Sequence, residues 1–250
     1  MNDNVKKIYP EQSLENLRWF DMLILAIIMF GQFIYSSTIN WLTMSSSVGQ
    51  AIVPRPEDEN FALLSNLKLQ VFLLVLALLY LGIRHYDFKQ LKLRLSWSIL
   101  WAPLIFVVVG LTSDVIAALV GSYNYFDLEI LQHIDWTFVE VFRKLAALGP
   151  VVILYSLFNG VYEEFFFLGL LTSVKEESKW WVLGFSTLVR FSVHTYQGLV
   201  SAFLIGVVFG LFYYFFYKYK VKNLLPFFLA HAFADMVGSS LIYVLVMWNG

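Results

Sequence analysis

Long apolar segments separated by short polar connections make up most of the 250-residue chain. A helix needs about 20 mostly apolar residues to cross the hydrocarbon core of a bilayer. Seven segments approach or exceed this length: residues 19–42, 67–84, 97–120, 145–172, 180–195, 198–217 and 224–247. The pattern predicts an all-α, polytopic transmembrane helical bundle with about seven spans, or eight as the alternative count.

Two regions interrupt this pattern. Residues 126–143 mix apolar residues with carboxylates, which is typical of an interfacial helix or a loop. The fifth and sixth spans are joined only by HTYQG, residues 194–198. We therefore expect a tight turn at Gly198, or spans that are partly re-entrant.

Lysine and arginine concentrate on one side of the predicted spans, and the positive-inside rule makes this the cytoplasmic side. With a cytoplasmic N-terminus, that side receives Lys6, Lys7, Arg18, Arg84, Lys89, Lys92, Arg94, Lys175, Lys179, Lys218, Lys220 and Lys222. The outer side receives only Arg55, Lys68, Arg143 and Lys144. Residues 1–18 are predicted to be a polar cytoplasmic tail rather than a signal peptide, and residues 19–250 a single transmembrane domain.

Composition narrows the possible functions. Hydrophobic residues make up 59% of the chain and charged residues 14%, which excludes an ordinary soluble enzyme. A net charge of −1 without a long basic run argues against nucleic-acid binding. Because the chain has no cysteine, disulfides, thiolate zinc sites and a cysteine nucleophile are excluded together. Any metal would need histidine and carboxylate ligands.

Ionisable side chains inside the predicted spans are the main candidates for function, because each is costly to bury in a bilayer. They are Asp114, Glu163, Glu164, Arg190, His194, His231 and Asp235. Helical rise from the predicted cytoplasmic ends puts Glu163, His194 and His231 at depths where they could meet in one cavity. The alternative is a set of hydrogen-bonded pairs that only stabilises the bundle, for which Ser, Thr and Asn would be less costly.

The two adjacent glutamates are predicted to have different roles, because neighbouring helical residues point about 100° apart. Tyr155, Asn159 and Glu163 recur every four residues, so Glu163 is expected to line a polar face. Glu164 then needs a partner from another helix. By contrast, Phe165–Phe167 and the aromatic residues at 213–220 are expected to face lipid or the membrane interface.

A carboxylate and two imidazoles on three helices can hydrolyse a bond in two ways. Glu163 can act as general base on a water molecule while His194 and His231 orient that water or stabilise an oxyanion. Alternatively, Glu163, His194 and His231 can bind a divalent metal such as zinc, which activates the water. The residues alone leave both alternatives open.

Three short motifs give the chain a family resemblance. The motifs are EEFFFL (163–168), RFSVH (190–194) and HAFAD (231–235), and they lie in the fourth, fifth and seventh predicted spans. Together they resemble the EExxxR, FxxxH and HxxxN/D motifs of the CPBP family, the CAAX-protease and bacteriocin-processing (Abi) group of intramembrane proteases. The resemblance covers residues 145–240 and implies a protease-like core there.

This resemblance implies that Glu163 and His194 activate water and that His231 and Asp235 complete the site, with Glu164 as a structural neighbour. Two residues depart from the family pattern: Leu168 stands where Arg is usual and Arg190 where Phe is usual. We hypothesise that Arg190 compensates for the missing Arg by pairing with Glu164 or with Asp114.

The expected function is that of an intramembrane endopeptidase in a bacterial plasma membrane, acting on a small peptide or a membrane protein. Bacteriocin or pheromone processing, self-immunity and regulation are the roles that the resemblance implies. One alternative is a catalytically inactive membrane regulator that binds a sensor kinase or a transporter. A proton-coupled transporter also fits buried charges, although repeat symmetry is not evident in the sequence.

Overall fold

The computed structural model describes residues 13–44, 56–120 and 148–242, together with Val139, Arg143 and Ala146. Within these residues the chain is helical, and the only extended pairings are two isolated β-bridges. The start of the predicted tail, most of the predicted interfacial segment and residues 243–247 of the seventh predicted span lie outside the described residues.

Eight α-helices follow one another along the described chain. They are α1 (Trp19–Met44), α2 (Pro56–Ile83), α3 (Trp101–Leu119), α4 (Pro150–Glu164), α5 (Lys179–Val193), α6 (Leu199–Phe203), α7 (Gly210–Phe216) and α8 (Leu225–Val237). Three π-helical segments continue these helices: Phe165–Leu170 after α4, Leu204–Phe209 between α6 and α7, and Tyr217–Val221 after α7.

Five of the described helical stretches are long and apolar enough to cross a membrane. They are Trp19–Thr43, Asn60–Ile83, Trp97–Leu119, Pro150–Ser173 and Leu199–Val221. The most apolar window of Pro150–Ser173 is 56% buried, whereas that of Asn60–Ile83 is 11% buried. The structure thus confirms a polytopic helical membrane protein, in which the stretch that carries the two glutamates is a core element and the second stretch is mostly exposed.

The fifth and seventh predicted spans correspond to shorter helices. α5 has 15 residues and α8 has 13, about 22 Å and 20 Å at 1.5 Å per residue, against a hydrocarbon core of about 30 Å. α8 ends at Val237 because Gly238 adopts a left-handed conformation, with φ 91°. In the described part of the seventh predicted span, the helix is therefore interrupted after Val237, and the span itself stays a prediction. The cytoplasmic placement of the N-terminus stays a prediction.

The chain divides into two compact units. Unit 1 comprises Met1–Arg94 and Tyr162–Leu224, and unit 2 comprises Leu95–Val161 and Leu225–Gly250. The boundary between the units falls inside α4, so Asn159 belongs to unit 2 and Glu163 to unit 1. The predicted single transmembrane domain is not tested by this division and stays a prediction.

An aromatic cluster forms the core of unit 1. The ring of Phe30 in α1 lies 5.5 Å, 5.0 Å and 4.9 Å from the ring centroids of Tyr162, Phe166 and Phe167. Phe165, Phe166 and Phe167 are all buried, so the prediction that they face lipid is wrong. These residues belong to the π-helical turn Phe165–Leu170, and both α1 and α7 contact this turn. The contacts on both sides bury the three rings.

The aromatic residues at 213–220 also differ from the prediction. Tyr213, Tyr214 and Tyr217 are buried, whereas Phe215 and Tyr219 are exposed. Only part of this run therefore forms the expected outer surface, because α7 packs its tyrosine side inside unit 1.

A buried ion pair joins the beginning of α1 to the end of α2. The guanidinium of Arg84 donates from Nε to Asp21 Oδ1 at 2.7 Å and from Nη2 to Oδ2 at 3.3 Å. The Tyr80 hydroxyl also donates to Oδ1, at 2.6 Å. Arg84 and Asp21 are 1% and 0% exposed. The charge of Arg84 is therefore used inside unit 1, and its placement on the cytoplasmic side stays a prediction.

The segment before α1 is tied to two loops of unit 1. Leu14 N–H donates to His85 O and Leu17 N–H to Ser173 O, at 2.8 Å and 2.9 Å. The Tyr86 and Ser173 hydroxyls lie 2.6 Å apart. Burial raises the pKa of Tyr86 to about 12, so its hydroxyl stays neutral at physiological pH. These bonds fix the end of the Pro150–Ser173 stretch against the end of α2.

α5 packs closely against the π-helical segment Leu204–Phe209. A Cβ atom added at Gly206 would lie 2.5 Å from Phe191 Cα and 2.6 Å from Phe191 N. Because both atoms belong to the backbone, no side-chain rearrangement can relieve the contact. Gly206 therefore sets the distance between this segment and the end of α5 that carries Arg190 and His194.

We predict that Gly206→Ala lowers the free energy of unfolding by about 1–3 kcal/mol, the usual cost of overpacking a core. Gly184→Ala in α5 is the matched control, since a Cβ at Gly184 meets nothing within 4 Å and alanine favours the helix. Thermal unfolding in detergent, followed by tryptophan fluorescence, measures both variants. Equal stability of the two would contradict the close contact at Phe191.

Candidate active site

Glu163 and Glu164 interact with different side chains of α5. Glu163 Oε1 lies 4.0 Å from His194 Nε2, and Glu164 Oε1 accepts a hydrogen bond from Arg190 Nη2 at 2.6 Å. All four side chains belong to unit 1. The predicted division of roles between the two glutamates is thus present as two separate contacts.

The orientation of His194 is fixed by its own helix. Its Nδ1 lies 2.7 Å from the carbonyl oxygen of Arg190, one turn earlier in α5. Because a carbonyl oxygen can only accept, Nδ1 carries the proton in this contact. A neutral His194 therefore presents the lone pair of Nε2 to the side on which Glu163 lies. Glu163 and His194 are 7% and 8% exposed, so the pair is largely shielded from solvent.

Glu163 Oε1 and His194 Nε2, two acceptor atoms 4.0 Å apart, mark a position at which a hydrogen-bond donor can bind. A carboxylate and the lone pair of a neutral imidazole cannot hydrogen-bond to each other directly. Both can accept from a polar group with O–H or N–H bonds, such as a water molecule. This arrangement suits general base chemistry, for which a carboxylate must reach the proton that it removes.

His194 lies where α5 ends. Its φ and ψ are −104° and 3°, and a single 3₁₀ turn, Thr195–Gln197, leads to Gly198 with φ 91°. The tight turn predicted at Gly198 is confirmed. As a result, the imidazole lies at the end of α5, directly before this turn.

The Glu164–Arg190 ion pair is completely enclosed. Glu164 is 0% exposed and Arg190 3%. The guanidinium carbon also lies 4.2 Å from the centroid of the Phe167 ring, a favourable cation–π distance. The structure therefore contains one of the two pairings predicted for Arg190. Leu168, which replaces the usual family Arg, is buried as an apolar side chain.

The other predicted partner, Asp114, has its own contacts in unit 2. Asp114 Oδ1 accepts from the Ser240 hydroxyl at 2.5 Å, and the backbone N–H of Ile242 lies 3.3 Å from Oδ2. Asp114 thus joins α3 to the residues that follow α8. This position suggests a structural role rather than a chemical one.

A second polar group lies in unit 2, where α8 meets α4. Asn159 Nδ2 donates to Asp235 Oδ2 at 2.8 Å, and Asp235 Oδ1 lies 3.6 Å from His231 Nε2. The predicted i, i+4 relation of His231 and Asp235 is confirmed. The helices approach closely because a Cβ at Gly160 would lie 2.5 Å from the carbonyl oxygen of Phe228.

The predicted site residues therefore form two groups, each inside one unit. Unit 1 holds Glu163 with His194 and Glu164 with Arg190, and unit 2 holds Asn159 with Asp235 and His231. A common cavity for both groups stays a prediction. Among the described residues, no three histidine or carboxylate side chains form a group that could hold a metal ion. A zinc site at Glu163, His194 and His231 also stays a prediction.

The π-helical turn directly after Glu164 was not predicted. Phe165–Leu170 forms the wider turn with all six residues buried. Such insertions are frequent at functional sites, because the extra residue changes the direction of the side chains that follow. The sequence signal that could have indicated it is the run of three phenylalanines, which an ordinary amphipathic helix would not bury together.

The fold defines a multi-pass helical membrane protein, and unit 1 contains a buried carboxylate–imidazole pair. Residues 145–237 match the family model described as type II CAAX prenyl endopeptidase Rce1-like, which is consistent with a CPBP intramembrane protease. The match runs from before α4 to the end of α8 and contains every candidate site residue except Asp114. No curated protein and no solved structure matches the chain significantly.

The match confirms the resemblance inferred from the three motifs. It supports an intramembrane endopeptidase of the CAAX type as the general class. α1, α2 and α3 lie outside the matched residues.

We predict that Arg190→Met lowers the free energy of unfolding by about 3–5 kcal/mol, because it leaves the Glu164 carboxylate buried without its cation. Adding Glu164→Gln removes that charge, so the double variant is expected to be more stable than Arg190→Met alone. Thermal unfolding in detergent measures wild type, Arg190→Met, Glu164→Gln and the double variant. Ser192→Ala, at a half-buried position of α5 whose hydroxyl donates to Leu188 O, is the control. Additive losses would contradict the ion pair as a coupled unit.

Proposed function

We propose that this protein is an intramembrane endopeptidase in which Glu163 activates water with the help of His194. The observation that carries the proposal is the buried Glu163–His194 pair, whose facing acceptor atoms lie 4.0 Å apart. The family match to residues 145–237 supports the same reaction class.

In the proposed reaction, Glu163 removes a proton from a water molecule while the water oxygen attacks the carbonyl carbon of the scissile peptide bond. The electrons of the C=O double bond move to the oxygen, which forms a tetrahedral oxyanion. The oxyanion then re-forms the C=O bond, the C–N bond breaks with its electron pair on nitrogen, and Glu163 gives its proton to that nitrogen. Proton transfer by a positioned carboxylate of this kind contributes about 10²–10⁴-fold to a rate.

His194 orients the water in this proposal. Its Nδ1–H is held by the Arg190 carbonyl, so the Nε2 lone pair can accept the second O–H of the water that Glu163 deprotonates. If His194 is protonated instead, Nε2–H can donate to the oxyanion. Both roles require the ring orientation that the helix end imposes.

Glu164 and Arg190 act on the structure in this proposal rather than on the substrate. Their ion pair is fully buried and satisfies the charge of the residue next to Glu163. His231 and Asp235 are proposed to complete the site, with the Asp235 carboxylate orienting the His231 ring. A small peptide or a segment of a membrane protein is the proposed substrate. Zinc, if it takes part, would need Glu163, His194 and His231 as ligands.

We predict that Glu163→Gln lowers the rate of product formation at least about 100-fold without loss of folded protein, because glutamine keeps the shape but cannot accept the proton. Peptidomics on membranes and medium compares cells that express wild type, Glu163→Gln at matched abundance, or no protein. Glu177→Gln, an exposed position, is the matched control and should equal wild type.

A peptide terminus made by wild type and Glu177→Gln but not by Glu163→Gln would establish proteolysis and identify the substrate. If Glu163→Gln equals wild type while cells without the protein differ, catalysis is not its role. The protein would then be a non-catalytic membrane regulator that binds a partner such as a sensor kinase or transporter.

Metal dependence is a separate prediction. If the acceptor atoms of Glu163 and His194 activate water by themselves, a strong chelator is expected to leave the Glu163-dependent product unchanged in purified membranes. Loss of the product on chelation and its recovery with zinc would contradict water activation by Glu163 and His194 alone.

A further inference from the structure

α1 lies outside the residues that match the family model, yet it hydrogen-bonds to the residue that precedes Glu163. The Tyr162 hydroxyl donates to the carbonyl oxygen of Met29 in α1 at 2.5 Å. Tyr162 and Met29 are both 0% exposed. The tyrosine ring also packs edge-on against Phe30. The last turn of α4 is thus fixed to α1 by a polar bond inside an apolar cluster.

α1 makes a second set of bonds next to His194. Tyr196 N–H donates to the Ser37 hydroxyl oxygen at 2.9 Å, and the Ser37 and Thr195 hydroxyls lie 3.0 Å apart. The Thr195 hydroxyl donates to the carbonyl oxygen of Ser192 at 3.1 Å. The only direction consistent with these bonds runs from Tyr196 N–H through Ser37 and Thr195 to Ser192.

This network connects α1 to the turn in which His194 lies. Ser37 is 3% exposed and Thr195 8%. A helix interface in a membrane protein can be packed with apolar side chains alone, and buried hydroxyls are costly unless their bonds are satisfied. Here both hydroxyls have partners, and the network ends on either side of His194, at Ser192 O and Tyr196 N–H. The polar contacts therefore fix the position of the turn next to His194, in addition to stabilising the interface between the helices.

The two contacts have complementary positions along α1. Met29 and Ser37 are eight residues apart, which is about 12 Å along a helix. Met29 anchors the last turn of α4, which carries Glu163. Ser37 anchors the turn next to His194. Because α4 and α5 are separate helices, the Glu163–His194 distance depends on what both helices are attached to.

We propose that α1 is the positioning helix of the Glu163–His194 pair and that Tyr162, Ser37 and Thr195 are its positioning residues. The inference rests on the proposed function, because it gives α1 a part in the same reaction. Displacement of a catalytic group by about 1 Å can lower a rate on the order of 100-fold. Loss of one of these hydroxyls is therefore expected to lower the rate about 10–100-fold while the protein stays folded.

The test uses three matched pairs of variants in the full-length protein. Thr195→Val removes the hydroxyl at constant shape, and Thr195→Ser keeps it. Ser37→Ala is compared with Ser36→Ala, whose hydroxyl bonds only locally to Phe33 O. Tyr162→Phe is compared with Tyr35→Phe, an exposed tyrosine of α1. Thermal unfolding checks that each protein is folded. If Ser37→Ala does not fold, Thr195→Val tests the same network in its place.

The first readout needs no substrate. Nitrogen NMR of protein labelled with ¹⁵N-histidine reports which ring nitrogen of His194 carries the proton, and a His194→Gln spectrum assigns the signal among the four histidines. We expect Thr195→Val and Ser37→Ala to change the His194 signals, and Thr195→Ser and Ser36→Ala to leave them as in wild type. Folded Thr195→Val and Ser37→Ala proteins with wild-type His194 signals would overturn the proposal.

The second readout is the rate of Glu163-dependent product formation per folded protein. We expect a loss of about 10–100-fold in Thr195→Val, Ser37→Ala and Tyr162→Phe, and recovery in Thr195→Ser. Losses that only follow the amount of folded protein would assign these hydroxyls to stability and overturn the proposal. If wild type forms no Glu163-dependent product, the proposed function fails by itself, and the His194 signals still decide whether α1 positions this ring.

Discussion

The buried ion pair between Glu164 and Arg190 is the interaction on which the candidate site depends. A carboxylate with no exposure to solvent must either have a cation beside it or lose its charge. Arg190 supplies that cation from α5, and the Phe167 ring covers the other side of the guanidinium. The pair therefore joins the end of α4 to α5, the two elements from which Glu163 and His194 extend.

This pairing also explains why two adjacent glutamates can be present without competing. Glu164 neutralises Arg190, so the charge of this cation is already used. Glu163 is left next to an imidazole whose Nδ1–H is bound to a backbone carbonyl. In the family motif a cation four residues after the second glutamate would have the same effect. Here the cation comes from another helix, so α5 is held both by charge and by packing.

Sequence reasoning predicted the class of fold, the segments that contain the five long apolar helices, and Glu164 as one of two alternative partners of Arg190. These follow from hydropathy, helical periodicity and charge balance. It failed where burial depends on tertiary contacts. The π-helical turn after Glu164 buries Phe165–Phe167, and no periodicity indicates a π turn. The left-handed Gly238 ends α8 earlier than hydropathy predicts.

The same limits apply to the site, since motifs identify reactive residues but not the parts of the chain that hold them in place. A chemical role requires particular side chains at fixed spacings, so candidate site residues form recognisable motifs, here between residues 145 and 237. Positioning can be achieved by a backbone carbonyl such as that of Met29, or by a small hydroxyl such as that of Ser37. Neither leaves a distinctive sequence pattern. α1 thus resembles any other apolar span until its contacts with Tyr162 and Thr195 are known, and a motif-bearing segment separated from α1 would lack both attachments.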